Sequence, residues 1–139
     1  ASQEAQRIEQ ARVLRTVATD ILNRNPDAPL LIAGDFNDFA YLSEDEEAQQ
    51  AIRIVGGGQG EIELTDLLER IPEEDRYTFI HTGIGQLLDH IFASPALLDH
   101  VQGVRIHHVN AGYPREAAKE PETVHRASDH DPVELLLRW

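Results

Sequence analysis

The sequence contains no cysteine. This absence excludes disulfide scaffolds, thiolate zinc sites and cysteine nucleophiles. Any metal ion would therefore have to be bound by Asp, Glu, Asn or His side chains. The sequence also lacks an apolar run of the roughly 18 residues that a membrane-spanning helix requires, so we expect no membrane span.

Basic residues are scarce as well. The chain has 12 Lys and Arg residues against 25 Asp and Glu residues, which gives a formal net charge of -13 at pH 7. Binding to phosphate backbones normally depends on Lys and Arg, so this acidity opposes non-specific attraction to nucleic acid. With 41% hydrophobic and 27% charged residues, the 139-residue chain has the composition of an ordinary folded protein. We expect one folding unit over residues 1–139.

A helix is predicted at the start of the chain, because apolar residues recur every three or four positions from Ser2 to Arg24. Ser2 suits the N-cap position. Two prolines and two asparagines within residues 23–29 end the helix. An apolar strand is predicted directly after them, at residues 30–33.

Shorter elements are predicted along the rest of the chain. A capping box of Ser43 with Glu46 begins a second helix, which ends at the three glycines of residues 56–58. A short helical segment is predicted at residues 64–71. Residues 110–127 lack clear periodicity and form a long loop, and loops of this length often carry function. The remaining strands are predicted at residues 77–81, 87–93, 104–109 and 133–137.

Asp35 and Asn37 follow the first strand and form the first polar group of interest. Open α/β sheets bind ligands at such carboxyl edges. Residues two apart on an extended segment point the same way, so both side chains could converge on one target, and Gly34 would let backbone and substrate approach closely. On spacing alone, a turn with helix-capping Asp and Asn side chains explains the segment equally well.

Asp89 and His90 interrupt an otherwise apolar strand. An acid in a buried strand needs a partner. Side chains alternate along a strand, so these two are expected on opposite faces and not in one site. His90 taken alone is more often a surface histidine, or a core histidine with satisfied hydrogen bonds, than a ligand.

Ser128, Asp129, His130 and Asp131 form a dense polar cluster just before Pro132 and the final strand. Carboxylates bind hard cations and imidazole titrates near neutral pH, so the cluster suits metal binding together with proton transfer. Taken alone, it could equally be a polar turn capped by Asp.

The three groups together resemble the C-terminal motifs of the endonuclease/exonuclease/phosphatase superfamily. The matching segments are Gly34-Asp-Phe-Asn37, Leu88-Asp-His-Ile-Phe92 and Ser128-Asp-His-Asp-Pro-Val133, in this order. Tyr77-Thr-Phe79 is similar to a further feature of the family. The chain looks most like bacterial extracellular nuclease-type members, although Gly112-Tyr-Pro114 stands where those proteins usually carry Asp-Glu-Pro.

The resemblance implies an α/β fold, namely the C-terminal half of a four-layer α/β/β/α sandwich with a mixed, largely antiparallel sheet and flanking helices. The family's earlier half supplies an asparagine, a metal-binding glutamate and a second histidine, and nothing before Asp35 matches them. We therefore expect the N-terminal half of the domain to be missing. The uncovered sheet face would then be covered by that half as a partner or by self-association. The resemblance also favours a secreted or cell-envelope bacterial protein.

The resemblance further implies a role for each site residue. Asp35 would orient or deprotonate the attacking water, and Asn37 would hydrogen-bond the scissile phosphate. Asp129, together with Asp35, would bind a divalent cation, with Mg²⁺ as the first choice and Mn²⁺ or Ca²⁺ as alternatives. His130 would be the general acid/base or charge stabiliser at the phosphate, with Asp89 holding its other ring nitrogen.

Arg126 stands beside the third cluster, where its guanidinium could meet a phosphate oxygen; the alternative is an ordinary surface arginine.

The expected function is metal-dependent phosphodiester hydrolysis, by a nuclease in its full-length form. We expect nucleic acid as the substrate and this chain alone to be inactive or weakly active. Two alternatives remain open. One is a lipid or inositol-phosphate phosphodiesterase or phosphatase of the same superfamily, and the other is a non-catalytic binding module.

Overall fold

The computed structural model describes residues 2–38, 50–120 and 122–139. It begins with helix α1, Gln3–Arg24, in which the Ser2 side chain accepts a hydrogen bond from the Ala5 N–H. The predicted first helix and its N-cap are thus confirmed. The helix ends at Asn25, which has extended backbone angles ahead of the two prolines.

Short strands and helices make up the rest of the described chain. Three of the connecting segments form 3-10 turns, at Leu67–Arg70, Glu73–Asp75 and Arg115–Lys119. None of the described helices combines the length and apolar character that crossing a bilayer requires. After α1 the elements are β1 (Leu31–Asp35), α2 (Gln50–Gly56), β2 (Thr65–Asp66), β3 (Phe79–His81), β4 (Ile84–Gln86), β5 (Asp89–Ala93), α3 (Pro95–Leu98), β6 (Val101–Ile106) and β7 (Val133–Leu137).

Within the described residues, the strands form three antiparallel groups. β5 lies between β1 and β2 in a three-stranded sheet, β3 pairs with β4, and β6 pairs with β7. The mixture of helices and antiparallel strands confirms the predicted α/β class in its general form. The site-bearing strands β1 and β5 are direct neighbours, so the first two polar groups of the sequence come together.

Some predicted elements differ from the structure. The helix predicted at residues 64–71 is wrong at its start, because Thr65 and Asp66 pair with β5 and only Leu67–Arg70 forms a 3-10 turn. The Asp66 carboxylate accepts the Leu68 N–H, which caps that turn. The strand predicted at residues 104–109 begins and ends three residues earlier in the structure, as β6 at Val101–Ile106. The Ser43 and Glu46 capping box lies outside the described residues.

Strand β4 was not predicted from the sequence. It pairs with β3 across a two-residue turn in which Thr82 has φ 50 and Gly83 has φ 83. Positive φ at both central positions matches the twist of a tight hairpin. This hairpin places Phe79 against the His130 ring, with the ring centroids 5.1 Å apart.

Two apolar clusters pack on opposite faces of β5. On the helix side, Phe92 packs with residues of α1 and α2, including the fully buried Leu22 and Val55. On the other side, Ile91 and Ala93 pack with the 3-10 turn at Leu67–Arg70 and with the inward residues of β6 and β7. The central strand is therefore held from both sides, which fixes the position of its first residue, Asp89.

A buried arginine connects α1 to the glycine-rich segment after α2. The Arg15 guanidinium donates to the carbonyl oxygens of Val55 at 3.2 Å and Ile62 at 2.7 Å, and it forms an ion pair with Glu61. A Cβ on Gly57, which has φ 99, would lie 2.8 Å from that guanidinium. The segment therefore needs glycine there to close around Arg15.

Candidate active site

Asp35 and Asp89 face each other at one end of the β1 and β5 pair. Asp35 is the last residue of β1, Asp89 is the first residue of β5, and the two are direct partners in the antiparallel register. Side chains of directly opposed residues lie on the same face and close together. The fold thus places two carboxylates side by side at the edge where the sequence predicted a site.

His130 joins this pair from the loop before β7. Its Nδ1 atom lies 2.7 Å from Asp89 Oδ2, and both side chains are 24% exposed. An ionised carboxylate only accepts hydrogen bonds, so Nδ1 carries the hydrogen. The imidazole is therefore oriented by Asp89, and its Nε2 atom is left for another partner.

The electrostatics of the site favour the charged form of His130. Burial lowers the pKa of the imidazole, but the hydrogen bond and charge of Asp89, with the charges of Asp35 and Asp129, outweigh burial and raise that pKa above its ordinary value. A histidine held this way can carry positive charge near neutral pH.

The three residues meet closely enough to share one ligand. Asp35, Asp89 and His130 each offer an atom, and these atoms lie within 4.8 Å of one another. No Lys or Arg of the described chain forms an ion pair with these two aspartates. Asp89 is paired with His130, whereas Asp35 has no cationic partner among the described residues, so the site offers hard oxygen donors that could hold a divalent cation such as Mg²⁺.

Asn37 and Asp129, two further predicted site residues, lie close to the same point of the fold. Asn37 has φ 48 and donates its backbone N–H to Asp35 Oδ1 and its side-chain amide to Asp35 Oδ2, at 2.8 and 3.2 Å. Asp129 is exposed, and its charge acts on His130. It is not a member of the group formed by Asp35, Asp89 and His130.

Arg126 is half-buried and bound to the protein backbone. It has φ 61, and its Nη1 atom donates to the carbonyl oxygens of Asn110 and Ala111, both at 3.2 Å. These contacts hold the long loop against the segment that carries His130. The guanidinium thus stabilises the backbone next to the site.

His90 faces the opposite side of β5 from Asp89, as strand alternation predicted. It is buried, and its Nδ1 atom lies 2.6 Å from Asp66 Oδ2. Its Nε2 atom has no hydrogen-bond partner among the described residues. Phe36 packs edge-on against the ring. The interpretation of His90 as a core histidine therefore agrees with the structure, although only one of its two nitrogens is satisfied.

Thr78 is a contributor that the sequence did not single out. It is fully buried, and its Oγ1 atom accepts the backbone N–H groups of Leu88 and Asp89 at 3.2 and 3.3 Å. Its carbonyl oxygen accepts the Asp131 N–H at 2.7 Å. The middle residue of the Tyr77-Thr-Phe79 segment therefore joins the two backbone segments that carry Asp89 and His130.

Asp131 and Asn110 were not predicted as site residues. Asp131 is buried and accepts the N–H groups of Asn110 and Ala111, at 2.8 and 2.9 Å, and it pairs with His108 at 2.9 Å. Asn110 binds the loop around His130 in turn. The dense polar cluster of the sequence was a signal for Asp131, but its partners lie about 20 residues earlier and share no local pattern with it.

A pocket of about 380 Å³ opens between β1, β5 and the segment before β7. Its polar lining includes Asp89, Ser128 and His130, and its apolar lining includes Ile91 and Val133. This volume lies within the range of about 300–1,000 Å³ that is usual for small-ligand sites.

The site lies on a scaffold of helices and antiparallel strands, as in a protein of the α/β class. The model of the Endonuclease/Exonuclease/phosphatase family matches residues 4–130, and the chain belongs to this family. The membership indicates hydrolysis of phosphate esters or phosphodiesters in general. Neither the curated proteins nor the solved structures include a match to the chain.

Proposed function

We propose that the chain is the C-terminal half of a metal-dependent phosphodiesterase, which acts as a nuclease in its full-length form. The observation that carries this proposal is the Asp89–His130 hydrogen bond of 2.7 Å with Asp35 directly opposite Asp89. The full domain would be a four-layer α/β/β/α sandwich, of which this chain supplies one sheet and its helices. By its motifs, the chain resembles bacterial extracellular nuclease-type proteins, and we propose that it belongs with them.

The reaction requires positive charge and a proton acceptor at the same point. A phosphodiester is anionic and resists attack by water, because negative charge accumulates on its oxygens as the new bond forms. The raised pKa of His130 favours an imidazolium that offsets this charge or protonates the leaving oxygen. Asp89 keeps the ring oriented through Nδ1. Asp35, which is exposed, takes the proton of the attacking water.

Asn37 and Arg126 would bind the phosphate. The side-chain amide of Asn37 has a second N–H besides the one that Asp35 accepts, and this N–H can reach a phosphate oxygen. Arg126 uses Nη1 on two backbone carbonyl oxygens, so its other nitrogens remain for an anion. Both side chains would position the ester and leave proton transfer to His130 and Asp35.

A divalent cation would offset the negative charge of the phosphate and of the aspartates. By the resemblance, Asp35 and Asp129 are the residues that would hold it; Asp35 belongs to the close group of the site, and Asp129 is an exposed neighbour of His130. The oxygen donor set favours Mg²⁺, with Mn²⁺ and Ca²⁺ as alternatives. Asp89 is already bound to His130 through Oδ2, so it serves the imidazole first.

Nucleic acid is the leading substrate, and a lipid or inositol phosphate is the second candidate. The net charge of -13 favours the second, since a small substrate needs no basic track. A secreted or cell-envelope location would accompany the nuclease. Without the remaining half of the domain, we expect this chain alone to be inactive or weakly active.

The test uses the full-length protein with Mg²⁺ and three substrates: plasmid DNA, sphingomyelin and inositol polyphosphates. We expect DNA cleavage that EDTA abolishes and that His130→Ala lowers by about 100-fold or more. The matched control is His107→Ala, since His107 is a half-exposed histidine that directly follows β6 and pairs with Glu134 on β7. Undiminished activity of His130→Ala would refute the role of His130, and no activity on any substrate would favour a binding module.

A further inference from the structure

Asn110 connects the two ends of the turn that carries His130. Its side-chain amide donates to the His130 carbonyl oxygen at 2.8 Å, and its side-chain oxygen accepts the Ala127 N–H at 3.0 Å. Inside the turn, the His130 N–H donates to Ser128 Oγ at 3.1 Å. One buried side chain therefore closes residues 127–130 into a fixed loop.

Asn110 is itself held from both sides. Its N–H donates to Asp131 Oδ1 at 2.8 Å, and its carbonyl oxygen accepts from Arg126 Nη1 at 3.2 Å. Only 6% of the residue is exposed, so its polar atoms have exchanged water for these protein partners. A buried amide with both ends used has a single favourable orientation, because an exchange of its nitrogen and oxygen would place donor against donor and acceptor against acceptor.

The position of the His130 ring depends on this loop. The ring must reach Asp89, which lies 41 residues away on β5, and the Nδ1 to Oδ2 distance of 2.7 Å leaves little tolerance. His130 comes from a loop segment before β7 and not from a strand, so the sheet alone does not fix its backbone. Two side chains of the described residues bind the backbone of His130: Ser128 accepts its N–H, and Asn110 donates to its carbonyl oxygen. Of these two, Asn110 comes from a distant part of the chain and ties His130 to the start of the long loop.

We infer that Asn110 is a positioning residue for His130. By fixing the peptide of His130, it sets the imidazole against Asp89 and so selects the tautomer with hydrogen on Nδ1. The inference deepens the proposed phosphodiesterase function and rests on it for its catalytic meaning. Asn110 also lines the pocket beside His130, but its side-chain amide and oxygen are used on the His130 carbonyl oxygen and the Ala127 N–H. Its removal should therefore weaken turnover through His130 more than it weakens substrate affinity.

The experiment reads the imidazole directly, without substrate. Long-range ¹H–¹⁵N spectra of the labelled chain report which nitrogen of His130 carries hydrogen and whether Nδ1–H is hydrogen-bonded. We expect Nδ1–H with a downfield proton in the unmodified chain. Asn110→Ala and Asn110→Asp both lose the donor to the His130 carbonyl oxygen, and both should move the spectrum toward a solvent-averaged mixture of tautomers. The matched controls are Asn23→Ala and Asn23→Asp, on the exposed side of α1, which should leave His130 unchanged.

A folded Asn110 variant with the unmodified His130 spectrum would overturn the inference, since a merely structural role changes the melting temperature and not the tautomer. If neither variant folds, hydrogen exchange on the unmodified chain decides: the Ala127 amide and the Asn110 carboxamide should be protected, and free exchange at both overturns the inference.

In the full-length enzyme, Asn110→Ala should lower kcat by about 10- to 100-fold at constant KM, and a change in KM alone would count against positioning. Because the spectra need no turnover, absence of hydrolysis would refute the proposed function and leave the positioning result standing.

Discussion

Asp35 and Asp89 occupy directly opposite positions on neighbouring antiparallel strands, so the fold holds two carboxylates side by side. Like charges in such positions destabilise a sheet. A partner compensates only Asp89, through His130, while Asp35 accepts hydrogen bonds from the neighbouring Asn37. The repulsion therefore lowers the stability of the fold. Binding of a cation or of substrate would account for the presence of two carboxylates at these positions.

Replacing Asp35 by Asn should raise the free energy of unfolding by about 0.2–1 kcal/mol in metal-free buffer. The substituted amide can still accept the Asn37 N–H, while its charge is gone. Urea unfolding with EDTA at a pH above the folded pKa of His130, which an NMR titration of its ring gives, measures the effect without the attraction between Asp35 and His130. Asp27→Asn, in the exposed turn after α1, is the matched control. An equal or lower stability of Asp35→Asn would show that the two carboxylates do not repel.

The pKa of His130 should fall when Asp89 is replaced by Asn. Its raised pKa means that the protonated ring stabilises the folded chain fully below the unfolded value of about 6.5, and that this stabilisation disappears as the pH rises through the folded pKa. Proton NMR titration of the His130 ring gives the midpoint in each protein. The unmodified chain should have a higher free energy of unfolding than Asp89→Asn at low pH, and this difference should shrink as the pH rises through the folded pKa of His130. An unchanged midpoint in Asp89→Asn would contradict the pairing.

Mg²⁺ should stabilise the chain or the full-length protein by binding to the folded form. At a free Mg²⁺ concentration of about 100 times the dissociation constant, the free energy of unfolding should rise by about 2.7 kcal/mol. Asp35→Asn and Asp129→Asn should each weaken Mg²⁺ binding by at least about tenfold in isothermal titration calorimetry, with Asp27→Asn unchanged. Binding that survives both substitutions would place the cation elsewhere.

Thr78→Val should lower the free energy of unfolding by about 1–3 kcal/mol. The replacement has nearly the same shape but leaves the buried N–H groups of Leu88 and Asp89 without the Oγ1 acceptor. Thr78→Ser keeps that oxygen and should recover most of the loss. Thr16→Val, on the exposed side of α1, is the control and should change stability by less than about 0.5 kcal/mol. Equal stability of the Val and Ser variants would mean that the hydroxyl is unimportant.

The chain alone should self-associate at micromolar concentration, unless the other half of the domain is supplied. Apolar surface remains outside the two clusters that cover β5: Leu31 at the start of the neighbouring strand β1 is 40% exposed, and Leu136 on β7 is 56% exposed. Sedimentation equilibrium measures the association, and Leu31→Lys should weaken it. Val124→Lys, in the long loop, is the control for the charge change. A monomer at all micromolar concentrations would contradict the uncovered-face hypothesis.

Local patterns predicted the elements that local interactions stabilise. The periodicity of α1 and its Ser2 cap, the strand after the prolines and the final strand at Val133–Leu137 were all visible in the sequence. The ordered motifs also predicted that Asp35, Asp89 and His130 would meet, and the structure brings them together. The resemblance gave this meeting its chemical meaning, since each motif alone matched an ordinary turn or strand equally well.

The remaining features depend on partners that are distant in the sequence. Thr65 and Asp66 form a strand because they pair with β5, which lies more than 20 residues later in the sequence. The local pattern around them does not contain this partner, and it favoured a helix instead. Asn110 meets the His130 peptide across 20 residues, through an irregular loop with no periodicity to predict it. Polar residues in loops can cap turns, face water or bind a distant backbone, and the sequence does not distinguish these cases.

The two faces of β5 carry two separate Asp–His pairs, Asp89 with His130 on one side and Asp66 with His90 on the other. Successive residues of a strand point in opposite directions, so a slip of β5 by a single residue would exchange the two environments. Asp89 would then enter the apolar helix side, and His90 would leave Asp66 for the carboxylate edge. Both mismatches would arise at once, which makes β5 intolerant of one-residue insertions or deletions within Asp89–Ala93.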